Sequence, residues 1–147
     1  MNRVVDLHGC ILPAVLGPQG PQTMAESVKM IKSLAEQGIT DIFSTPDVTV
    51  SMDMNTWDEM ETTLNDVKLA VGEQQVDVTI HGGARVLLCD EMIEYIASHR
   101  NQYLLGNSHF MLVSIPENSK VHHINAWLLA LLNMEIIPII SEVETHR

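Results

Sequence analysis

Aromatic residues are scarce in this chain: two Trp, two Tyr and two Phe make up 4% of its 147 residues. A core with so few rings must be aliphatic, and nine methionines supply adaptable filling. Basic residues are scarce too, with 8 Lys and Arg against 19 Asp and Glu and a net charge of −11. That balance repels phosphate backbones and argues against nucleic acid as a partner. Cysteine occurs twice, at Cys10 and Cys89, which excludes a disulfide framework and points to a reducing cytoplasm. The N-terminus lacks a charged stretch followed by an apolar core, so no signal peptide is expected. The longest apolar run, Ala126 to Ile140, is broken by Asn133, Glu135 and Pro138, which argues against membrane insertion.

What is present is an alternation of strand and helix signals in a chain that is 46% hydrophobic. A β-branched run at Arg3–Leu7 reads as a first strand, and the Pro- and Gly-rich stretch Leu12–Gln22 as a loop. Thr23 followed by Glu26 forms a capping-box signature, and Gly38 closes the helix it opens. Further strands are expected at Thr40–Thr45, Val76–His81, Phe110–Ile115 and Ile136–Ile140. Helices are expected at about 55–71, 90–98 and 119–133, the first of these carrying Trp57, Met60, Leu64, Val67 and Val71 on one stripe. Five strands alternating with four helices predict one α/β domain over 1–147 with a mainly parallel sheet. In such folds the C-terminal ends of the strands converge on one face, where sites are built. Those ends are His8/Cys10, Thr45–Val48, His81–Arg85, Ser114 and Ser141–Glu144.

The stretches DLHGCILP, GPQTMAES, LAEQGITDIFSTP, HGGARVLL and IIPIIS, in this order, resemble the bacterial PHP-type (polymerase and histidinol phosphatase) protein-tyrosine phosphatases of capsule and exopolysaccharide loci. The resemblance implies a distorted β/α barrel, here truncated, and manganese-dependent phosphoester hydrolysis at a cluster of metal ions. It also implies a partner among bacterial tyrosine kinases or polysaccharide-synthesis proteins. The family's first strand ends Asp-Ile-His-x-His-Ile-Leu-Pro; Asp6, His8, Ile11, Leu12 and Pro13 match, and Cys10 stands at the second histidine. Residues two apart at a strand end point the same way, which is why such a pair can share one ion.

Other positions depart in the same sense. Thr-Pro-His-His becomes Thr45-Pro46-Asp47-Val48, and Gly-x-Glu becomes Gly82-Gly83-Ala84. Ala-His-Pro-Glu-Arg becomes Ser141-Glu142-Val143-Glu144-Thr145, and the later Asp-x-His segment is missing. By family pattern only His8 remains a metal ligand. A remodelled site for manganese or another divalent ion would use His8, Asp47 and Glu142, because carboxylates suit hard cations; Cys10 would suit a softer metal or serve as a nucleophile. Against that, Cys10 reads as a small hydrophobe, the two acids as solvated surface groups, and Arg85 as an ion-paired residue or a phosphate contact. The reading preferred on these grounds is a catalytically inactive or impaired phosphatase homologue with a binding or regulatory role and no cofactor. The alternatives are an active phosphatase with a remodelled metal site, or a decayed remnant. A truncated barrel should expose an open edge, and the very apolar last helix fits a homo-oligomer or a partner covering it. His122 and His123, adjacent on that helix, are expected to face apart.

Overall fold

The computed structural model describes residues 2–15 and 17–142. The chain divides into two compact units, Met1–Pro46 with Met52–Gly82, and Asp47–Ser51 with Gly83–Arg147.

The first unit holds β1 (Val5–Gly9), α1 (Met24–Glu36), β2 (Asp41–Ser44), α2 (Met54–Glu73) and β4 (Thr79–Gly82), with a 3-10 turn at Gly17–Gln19. Its sheet has the order β1-β2-β4, and both pairings are parallel. Gly9 opposes Ser44 after an irregularity in the β1–β2 register. A Cβ on Gly9 would collide with Ile42 Cγ2 and crowd Phe43 O, so glycine is what lets β1 close on β2 there. Thr23 Oγ1 caps α1 by accepting from Glu26 N, while Glu26 reaches back to Gln22 N rather than to Thr23. Gly38, in the left-handed region at φ 95°, ends it. Asp53 caps α2 through Thr56 N. The core beneath the sheet joins Ile11, Leu12, Val28, Ile31, Ile42, Val67, Val71 and Ile80, and each fully buried aliphatic side chain contributes about 1.5–3 kcal/mol.

The second unit holds β3 (Asp47–Val48), β5 (Arg85–Leu87), α3 (Asp90–Ser98), β6 (Phe110–Ser114), α4 (Val121–Asn133) and β7 (Ile137–Ile140). Its parallel sheet has the order β3-β5-β6-β7. Strands β3 and β5, of two and three residues, are not among the expected strands, so the described strands are seven rather than five. Met92 and Met111 are buried, as an aromatic-poor core requires. Trp127 Nε1 donates to Asp90 Oδ1 at 2.6 Å, tying α4 to the start of α3. Helix α4 buries Trp127 and Leu131 but leaves Val121, Leu129 and Leu132 exposed.

Strand β7 ends its sheet. Ile137 N and Ser141 N donate toward β6, which places the missing N–H of Pro138 on the outer side. Proline there blunts the strand as a template for further pairing. His122 and His123 correct the expectation that they face apart: their rings meet edge to face with centroids 4.2 Å apart. A 100° separation fixes the Cβ directions, and the exposed rings still rotate together beyond it.

Candidate functional site

At the end of β1, His8 is half-buried and its Nδ1 lies 2.8 Å from Thr45 Oγ1. The Thr45 hydroxyl donates to Leu7 O at 3.1 Å and so accepts from the imidazole. That assignment puts the proton on Nδ1 and leaves Nε2 as the acceptor, facing Cys10 Sγ at 4.0 Å. The Cys10 thiol donates to His8 O at 3.8 Å. His8 N donates to Asp6 Oδ1 at 2.9 Å, which fixes the strand end. Cys10, Ser44, Thr45 and Pro46 line a narrow crevice of about 10 Å³. Ser44 Oγ, in a residue 1% exposed, has no hydrogen-bond partner among the described residues.

A second polar cluster in this unit was not expected from the sequence. Asp41 is 2% exposed on β2 and accepts from the Arg3 guanidinium, from His81 Nε2 at 2.9 Å and from Thr40 Oγ1 at 2.8 Å. Hydrogen bonds from Arg3, then His81 and Thr40, hold its carboxyl far below the usual carboxylate range against the opposing effect of burial. His81 stacks on Phe43 with ring centroids 4.5 Å apart. The available signal was an acid inside an otherwise apolar strand, Asp41 beside Ile42 and Phe43.

In the second unit Arg85 and Asp47 are register partners on β5 and β3. Arg85 Nε and Nη2 donate to the two Asp47 oxygens at 2.5 and 2.9 Å, and Nη1 donates to Glu142 Oε1 at 2.7 Å. The Arg85 side chain is 14% exposed and those of the two acids about half exposed. Bonds to Asp47, and less so to Glu142, hold Arg85 more firmly protonated than a solvated arginine. Glu142 makes its contact from a left-handed backbone at φ 56°, which disfavours a residue with a Cβ by about 1–2 kcal/mol. An open cavity of about 420 Å³ adjoins these three residues, with Thr49, Ser114 and Glu117 on its walls. Ala84, next to Arg85, is fully buried. Thr145 lies outside the described residues.

Thus His8 and Cys10 meet in one unit, while Asp47, Arg85 and Glu142 meet in the other. Among the described residues, no three His, Cys, Asp or Glu side chains are grouped so as to hold a metal ion. No helix among them is long and apolar enough to cross a membrane.

Residues 4–147 match the family described as "Capsular polysaccharide synthesis, CpsB/CapC". The chain belongs to this family. A Staphylococcus aureus protein, "Putative tyrosine-protein phosphatase CapC", is 26% identical over 146 residues, which cover 98% of this chain and 55% of CapC. A solved structure from work on YwqE of Bacillus subtilis and CpsB of Streptococcus pneumoniae, described as unique metal-dependent tyrosine phosphatases, superposes with a TM-score of 0.81. That match is 22% identical and covers 98% of this chain and 57% of the other, so it establishes a shared CpsB-type α/β fold. The chain therefore spans little more than half the length of the CpsB/CapC relatives it matches.

Proposed function

We propose that this CpsB/CapC-family chain is a catalytically inactive or impaired homologue of the capsule tyrosine phosphatases, acting by binding rather than by turnover. The observation that carries this reading is the Arg85 clasp. The two carboxylates that a remodelled metal site would need, Asp47 and Glu142, are both bound to a guanidinium. A cation already neutralises them, and a hard divalent ion would have to displace it. Ala84 supplies no oxygen where the family resemblance expects glutamate. In the other unit His8 directs Nδ1 to Thr45 and Nε2 toward a thiol, a partner that suits soft rather than hard ions. These donors do not fit a manganese cluster.

The partner most in keeping with the family is a tyrosine kinase or another polysaccharide-synthesis protein in the cytoplasm. The uncovered apolar residues of α4 support association with such a partner or with a second copy. The test is hydrolysis of a phosphotyrosine peptide with and without millimolar Mn²⁺, with His8→Ala as control. The proposal expects no turnover in any sample. Turnover by the unaltered chain that vanishes in His8→Ala would overturn it.

A further inference from the structure

Helix α4 carries no Asp, Glu, Lys or Arg in its 13 residues, VHHINAWLLALLN. The other three α-helices each carry at least three such side chains. One face of α4 is covered, since Trp127 and Leu131 are buried. A second face is not. Val121, Asn125, Leu128, Leu129 and Leu132 stand at i, i+4, i+7, i+8 and i+11, the spacing of one continuous helical stripe about 100° wide. Leu128 is half-buried, and Val121, Leu129 and Leu132 are each more than half exposed. A solitary exposed leucine is ordinary: Leu69 on α2, 68% exposed, has Asp66 and Glu73 beside it on its face and belongs to no stripe. The α4 stripe repeats over three turns with Asn125 as its one polar member.

We infer that this stripe is a homodimer interface in which α4 packs antiparallel against α4 of a second copy. Net charge makes a second copy the fitting occupant. Two chains of net charge −11 repel one another, and least where neither face carries charge. A membrane surface does not fit, because interfacial helices carry Lys and Arg on their polar face and α4 has neither. The flanking charges decide the orientation. Lys120 precedes the stripe and Glu135 follows it, both exposed, and Arg100 Nη2 orders the Glu135 carboxylate at 3.2 Å. An antiparallel pair sets each Lys120 near the Glu135 of the other copy, twice about the two-fold axis. A parallel pair would set like charges together. Opposed helix dipoles act in the same sense as the charges. Val121 of one copy then meets Leu132 of the other, and Asn125 meets the Leu128–Leu129 step. Five side chains cover less than the about 800 Å² per partner of a standard interface, so the association is reversible and micromolar.

This deepens the association proposed above but uses no residue of either candidate site. A dimer with phosphatase turnover would sink the inactive reading and leave this one standing. The experiment is sedimentation equilibrium of the chain in reducing buffer from about 2 to about 200 µM, across which the mass should rise from one chain toward two. Leu129→Lys should weaken the dimer at least about tenfold although it lowers the net negative charge. Leu69→Lys, the same change at a comparably exposed helix position, should leave the dimer unaltered. Lys120→Glu and Glu135→Lys should each weaken it about threefold, and the double exchange should restore most of the loss. A chain that stays monomeric at about 200 µM would overturn the inference and leave the stripe to a different polypeptide. So would a dimer that survives Leu129→Lys, with Leu132→Lys as the second variant if the first fails to fold. A double exchange as weak as the single ones would overturn the antiparallel arrangement.

Discussion

In the first unit the buried member of the ion cluster is a carboxylate, Asp41, with 3% of its side chain exposed, and its partner Arg3 is 70% exposed. In the second unit the arrangement is inverted: Arg85 is the enclosed cation at 14%, and Asp47 and Glu142 are 50% and 54% exposed. The difference lies in what each group falls back on when a partner is lost. An enclosed carboxylate without its donors has little access to water, whereas half-exposed acids rehydrate. The Asp41 cluster is therefore a structural feature of β2, and the Arg85 clasp is a surface feature that alters chemistry more than stability.

Substitutions that break or sharpen this contrast follow from largest effect to smallest. Ile42, fully buried next to Asp41, sets the upper scale: Ile42→Ala should cost about 2–5 kcal/mol in urea unfolding. A cost under about 1 kcal/mol would mean that this core collapses around the gap. Asp41→Ala should come next, lowering the thermal midpoint by several degrees, since His81 and Arg3 then lose their shared acceptor. Its pH dependence has a definite sign. The Asp41 carboxyl titrates below its unfolded value, so its contribution is complete above about pH 5 and is lost as pH falls below about 4. The stability gap between unaltered and Asp41→Ala chains should narrow in that acid range, and a gap that widens there would refute the assignment. Arg85→Gln should cost only about 1 kcal/mol or less, and high salt should shrink that difference because the acids are exposed. A larger, salt-independent loss would place Arg85 in the interior energetics of its unit.

How far the sequence alone revealed this organisation depended on element length. Helix α3 has the predicted bounds, Asp90–Ser98, and the capping residue of α1 is Thr23 as its motif indicates. The α2 stripe is legible for the same reason, with Trp57, Val67 and Val71 buried at helical spacing. Strands β3 and β5 escape such reading because two or three residues show no period. Their loss hid the site as well, since Asp47 faces Arg85 only through the β3–β5 register. His8 and Cys10 were visible as a pair through their spacing. Thr45 and Ser44, which give that pair its orientation and its crevice, come from β2 and its exit across the sheet, a relation that no local pattern contains.

The central claim is that the acids of the Arg85 clasp serve the guanidinium rather than a metal ion. Its most direct test is the manganese content of the unaltered chain after equilibration with excess Mn²⁺ and desalting. The account predicts far less than one ion per chain. One or more retained ions per chain, lost on Asp47→Asn or Glu142→Gln, would contradict it.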